Sequence, residues 1–158
     1  MAQKMGKIHH PEQSNGKLTR LRRLGGVYVL QIEVPVLLRL QVGVLSELAF
    51  SPGIYCYVGS AQNNLEKRIA RHLKQDKKRF WHIDYLLAGS PARVVQVYYK
   101  QAGKSTECLL AHRLSRIAKP VQGFGASDCA CGAHLFQAGP GLEAVTAILE
   151  LECEALRV

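Results

Sequence analysis

With 158 residues, 47% of them hydrophobic, the chain is long enough for one domain around a single modest core. Twenty-one Lys plus Arg against twelve Asp plus Glu leave a formal charge of +9, and its concentration in a basic stripe within the folded region fits a polyanionic partner better than a generic solubility charge. Five cysteines, an odd number with no apolar leader ahead of them, argue against a disulfide framework and for a reducing, cytoplasmic setting, and no run approaches the ~18 apolar residues of a membrane span.

Residues 1–24 are polar and basic, with Lys4, Lys7, Lys17, Arg20, Arg22 and Arg23 against Glu12, and read as a flexible arm. The domain proper is expected over 25–158. Gly26 to Val34 is a β-type run that Pro35 interrupts, and Val36 to Val42 alternates again before Gly43, which predicts a hairpin-like pair. Leu45 to Pro52 reads as a connection. Gly53 to Gly59 is a third strand, whose two-residue alternation sets Tyr55 and Tyr57 on one face and Cys56 and Val58 on the other.

A helix is predicted over Asn64 to Gln75, capped by Asn63, with Leu65, Ile69 and Leu73 as its buried stripe. At about 100° per residue, Arg68 and His72 fall on one flank of that stripe, while Lys67, Arg71 and Lys74 point away. Lys77, Lys78 and Arg79 follow, with Asp76 the only acid between 67 and 79. This basic stretch (Lys67, Arg71, Lys74, Lys77, Lys78, Arg79) is the candidate nucleic-acid surface. A solvated helix face is its ordinary alternative.

Trp81 to Leu87 predicts a short helix and Arg93 to Tyr99 a fourth strand. Thr106 caps a helix to about Ala118 with Leu109, Leu110, Leu114 and Ile117 inward. His134 to Phe136 pairs briefly, and Leu142 to Leu156 forms a final helix. The fold class expected is α/β: a small mixed sheet flanked by helices.

Gly26-Val27-Tyr28, then YVGSA at 57–61, then Arg68-Ile69-x-x-His72, resembles the GIY-YIG nuclease superfamily. The runs YCYVGSA, RIARHL, FWHIDYLL, Glu107-Cys108 and GFGASDCACGAHLF are similar to its Uri-type branch, a domain also found attached to endonuclease III. Gly53-Ile54-Tyr55 spells the first motif literally, but one residue cannot reverse the chain between it and Tyr57-Val58-Gly59. The first motif is therefore assigned to 26–28, with 32–52 as an inserted hairpin.

The resemblance implies a divalent-metal-dependent endonuclease acting on DNA, with Mg²⁺ or Mn²⁺ as cofactor. By position, Tyr28 helps deprotonate the attacking water, Tyr57 orients water or phosphate, and Arg68 holds a non-bridging oxygen. Glu107 binds the metal and His72 assists proton transfer. Phosphodiester cleavage builds charge on oxygen, so a fixed guanidinium and a hard cation are its natural stabilisers. The asparagine that often follows the family's metal-binding glutamate is missing; Ser127, Asp128 and His134 stand where a substitute would. The alternatives are a nucleic-acid-binding module that does not cut and a partner domain of a DNA-repair glycosylase. Cys129-x-Cys131-x-x-His134 is too tightly spaced, and one ligand short, for a structural zinc site on local residues, with Cys56, Cys108 or a distant histidine needed as the fourth. The expectation is against zinc.

Overall fold

The computed structural model describes residue 21 and residues 24–156. Its centre is a pair of nine-residue strands, β1 (Gly26–Val34) and β4 (Gly53–Ala61), which run antiparallel along their whole length. Between them in sequence lie β2 (Leu38–Gln41) and β3 (Glu47–Phe50), which pair with each other. Helix α1 (Leu65–Leu73) and helix α2 (His82–Leu87) follow, then β5 (Arg93–Lys100) and α3 (Ser105–Ser115). The chain continues through β6 (Lys119–Pro120), β7 (Leu135–Gln137), α4 (Glu143–Glu150) and β8 (Glu154–Leu156).

The six-stranded sheet has the order β6-β7-β4-β1-β5-β8. The α/β class holds, but each pairing in the sheet is antiparallel, so it is not mixed. β1 is covered on both faces, which is why VYVLQIEV reads as a nearly continuous apolar run. Tyr28, Leu30, Ile32 and Val34 join one core with Tyr55, Tyr57, Leu65, Ile69, Ile83 and Leu86. Val27 and Val29 join the other with Cys56, Val58, Leu110, Leu114, Phe136 and Ile148. Fully burying side chains of this size contributes roughly 1.5–3 kcal/mol each, and a strand fixed from both sides holds its tyrosines still.

Several elements differ from the sequence reading. The predicted pairing of 26–34 with 36–42 does not form. Pro35 has no N–H to give a ladder, and β4 offers β1 a longer apolar partner. Residues 47–50, read as connection, are a strand, and Val42 and Phe50 bury the resulting hairpin into the core. The cap of α1 is Asn64, one residue later than predicted; it is left-handed (φ 51°) and its side chain accepts from the Lys67 N–H at 2.9 Å. Leu73 is exposed and His72 buried in its place. Helix α3 stops at Ser115, leaving Ile117 exposed beyond it, and Leu109, expected inward, lies on its outer face. Helix α4 stops at Glu150, because Glu152 takes a positive φ of 60° and the chain turns back to lay Leu156 beside β5.

The predicted basic arm lies largely outside the described residues. Leu21 at its end is buried, and the Leu21 and Leu24 carbonyls accept from the first N–H groups of α1. Among the described residues, no helix is long and apolar enough to cross a membrane.

Candidate active site

The β1–β4 register sets Tyr28 directly opposite Gly59. The Tyr28 ring lies across that glycine: a Cβ at 59 would stand 2.4 Å from Cζ and Oη of the ring. The glycine of the YVG element thus leaves room for the tyrosine of the GVY element. Across it, the Tyr28 hydroxyl reaches His72 Nε2 of α1 at 2.7 Å.

Both groups are buried, and burial controls their protonation. It pushes the Tyr28 phenol well above its ordinary value, with the Arg68 guanidinium pulling in the opposite sense. It drops His72 to about 3, with Lys77 adding to the effect, so the imidazole is neutral. Nδ1 of His72 is buried and has no hydrogen-bond partner. Tyr57 places its ring 6.5 Å from Tyr28 and 6.1 Å from His72, and burial raises its phenol likewise.

Two arginines one turn apart on α1 sit over the same indole. Arg68 Cζ lies 4.4 Å and Arg71 Cζ 4.3 Å from the Trp81 ring centroid. Arg68 donates to the Ser60 carbonyl at 3.1 Å and lines the cleft. Arg71 instead forms a two-pronged pair with Asp84, both bonds at 2.8 Å. The Asp84 side chain, 0% exposed, also accepts from the Phe80 and Trp81 N–H groups, closing the first turn of α2. Burial works against its ionisation, but Arg71 and those two N–H groups outweigh it and hold the carboxyl below its usual range.

Glu107 lies in the first turn of α3, 9% exposed. Its Oε2 accepts from the Ser60 hydroxyl, and its Oε1 stands 3.1 Å from Nδ1 of His134. Tyr28, Tyr57, Arg68 and Glu107 all line one cleft of about 670 Å³, together with Ser60, Trp81, Ser127 and Asp128. His72 stands behind Tyr28. Of the stand-ins for the missing asparagine, Ser127 and Asp128 reach the cleft and His134 meets Glu107 from below.

The predicted nucleic-acid surface divides. Lys67, Lys74 and Lys78 are exposed. Arg71 does not point away into solvent as predicted; it is committed to Asp84 and Trp81. Lys77 donates to the Arg71 and His72 carbonyls at the end of α1, and burial lowers it to about 8. Arg79 is exposed, with one guanidinium nitrogen 3.4 Å from the Ala88 carbonyl.

Sequence reasoning did not single out Ser60 or the Arg71–Asp84 pair. A serine after YVG and an aspartate three residues beyond Trp81 were the available signals, the second being the spacing of a capping box.

The expectation against a zinc-type site is corrected. Helix α3 brings Cys108 to the loop, and one donor atom from each of Cys108, Cys129, Cys131 and His134 lies within 4.8 Å of the others. These four side chains have the donor set and spacing to hold a metal ion, and it is one that suits zinc better than Mg²⁺.

No match was found among curated proteins or among solved structures. A family model described as "Domain of unknown function DUF123" matches residues 27–155, and the chain belongs to that family.

Proposed function

We propose that this member of the DUF123 family is a divalent-metal-dependent endonuclease that hydrolyses phosphodiester bonds in DNA, built on the Uri-type GIY-YIG plan. The observation that carries the reading is the meeting of Tyr28, Tyr57, Arg68 and Glu107, from four separate segments, around one cleft.

Each side chain has a part suited to its surroundings. Arg68 is held by Trp81 and the Ser60 carbonyl, so its guanidinium meets a phosphoryl oxygen without first being ordered. The Tyr28 phenol stays protonated at neutral pH, so it does not wait as a phenolate. Its hydroxyl donates to His72 Nε2, 2.7 Å away and unprotonated in one neutral tautomer, which leaves the phenol oxygen turned to accept a hydrogen bond from the attacking water and align it. Tyr57, beside both rings, orients the water or the phosphate.

The donor set at Glu107 fits Mg²⁺ or Mn²⁺. Its two oxygens offer about four acceptor positions and meet Ser60 and His134 with only part of them. Ser127 and Asp128 present further oxygens on the same cleft, the Asp128 carboxylate being shared with Lys104 at 3.2 Å. Bound there, the ion would polarise a phosphoryl oxygen and offset developing charge. Lys67, Lys74 and Lys78 provide an exposed basic edge for the backbone.

The engagement of Glu107 by Ser60 and His134 favours a second reading, a nucleic-acid-binding module in which the carboxylate is structural. Incubating the full chain with duplex and branched DNA and Mg²⁺ separates the two. The endonuclease reading expects strand scission, reduced about 10²–10³-fold or more by Glu107→Ala. Salt-sensitive DNA binding with no scission in Mg²⁺ or Mn²⁺ overturns it in favour of the binding module. Salt-insensitive binding points instead to a domain that docks on a repair glycosylase.

A further inference from the structure

We propose that Cys108, Cys129, Cys131 and His134 bind one tetrahedral, thiolate-preferring divalent ion of the zinc class, which fixes His134 against Glu107 beneath the cleft. Cys108 comes from the first half of α3, next in sequence to Glu107, and the other three ligands come from the loop that precedes β7. The ion would therefore join the helix that carries Glu107 to the loop that carries Ser127 and Asp128.

The ligand set is three soft sulfurs and one imidazole. That composition selects zinc over magnesium, and four protein donors describe a closed, structural site. A tetrahedron with Zn–S of about 2.3 Å has edges of roughly 3.8 Å. The four donor atoms already lie within 4.8 Å of one another, so side-chain rotation of about an ångström closes the cage. Cys129 Sγ and His134 Nε2 are at 3.3 Å, already at edge distance.

The second observation is the division of labour on His134. Its Nε2 faces the thiols, and its buried Nδ1 stands 3.1 Å from Glu107 Oε1, within ion-pair distance although not aligned as a hydrogen bond. A metal-bound histidine has this arrangement: one ring nitrogen on the ion, the other turned to a carboxylate that fixes the ring. Glu107 in turn accepts from the Ser60 hydroxyl at the end of the GIYCYVGSA strand. A continuous run thus leads from the thiol cage through His134 and Glu107 to the cleft wall. No disulfide ties this loop; all five cysteines are free.

The inference does not depend on the nuclease reading, because it is tested without substrate. The full-length chain, purified under reducing conditions without chelators, is analysed for metal by plasma mass spectrometry and reloaded with Co²⁺. The expected result is about one zinc per chain, with thiolate-to-cobalt charge-transfer bands and the intense visible bands of tetrahedral Co²⁺ in the reloaded protein. Cys131→Ser should abolish those bands, and if that variant does not fold, the wild-type metal count and cobalt spectrum decide. Glu107→Gln should retain the ion but bind it roughly 10–100-fold more weakly. Zinc no higher than a buffer blank, iron in its place, or a disulfide between two of the three thiols would overturn the site. An unchanged zinc affinity in Glu107→Gln would overturn the link to the cleft.

Discussion

Glu107 stands between two walls made in different ways. On one side Tyr28, Tyr57, Arg68 and Trp81 are set by the register of β1 on β4 and by the face of α1, with a buried core behind them. On the other side Cys129 and Cys131 belong to the loop before β7, and His134 at its end is buried and held by its backbone on both sides, its N–H donating to the Phe124 carbonyl and its carbonyl accepting from the Val58 N–H. The first wall is positioned by the fold and needs nothing more. The second is anchored at His134 by backbone bonds and carries, with Cys108, the four side chains whose spacing suits a metal ion. The geometry of the cleft can therefore be disturbed in two ways, from the sheet side or from the side of His134.

The largest effect should come from cutting the support of the first wall. Asp84→Ala leaves the Arg71 guanidinium half-buried without its carboxylate and frees the first turn of α2, for a loss of about 3–5 kcal/mol in denaturant unfolding. A loss under about 1 kcal/mol would show that Arg71 is held mainly by Trp81 and that the walls are less unequal than described.

Next is the pH response of the same wall. His72 is depressed to about 3 in the folded chain against 6.5 unfolded, so the unfolded state binds the extra proton between those values. Its contribution is complete above pH 6.5 and is lost as pH falls toward 3, at a slope of up to about 1.4 kcal/mol per pH unit. His72→Gln should flatten stability against pH across that window. Equal slopes in the two proteins would place the acid sensitivity elsewhere.

Gly59→Ala comes third. The added methyl meets the Tyr28 ring at 2.4 Å, so the ring must move, at a cost of about 1–3 kcal/mol, and the Tyr28–His72 bond should break. A crystal structure of the variant with that bond intact would count against the register argument. The mildest change is Lys67→Glu with Lys74→Glu, on exposed positions beyond both walls. Thermal stability should stay unchanged, while the slope of log affinity for DNA against log salt falls by about one for each phosphate contact removed.

The difference between the walls also explains what could be read from sequence. Strand-type composition was enough to predict strands over 26–34 and 53–59, and alternation put Tyr55 and Tyr57 on one face, but the partner expected for 26–34 was 36–42 and not the strand it pairs with. Arg68 on the rim followed from helical spacing. The same spacing put Arg71 in solvent, because no local pattern announces a carboxylate 13 residues away that folds back to meet it. Leu73 and His72 exchanged places for a related reason: Tyr28 offers a polar partner inside the core, which a hydrophobic stripe does not anticipate. The thiol cluster was half visible. Three ligands were close in sequence, and the fourth appeared only when α3 brought Cys108 across.

Trp81 is the only tryptophan in the chain, and it lies at the mouth of the cleft with a guanidinium over its ring at 4.4 Å and another at 4.3 Å. The protein therefore carries a single indole, and its emission, excited at wavelengths too long for the six tyrosines, comes from one address. Any polyanion that draws Arg68 off the indole alters that emission directly, so occupancy can be followed by ultraviolet titration of the unlabelled chain.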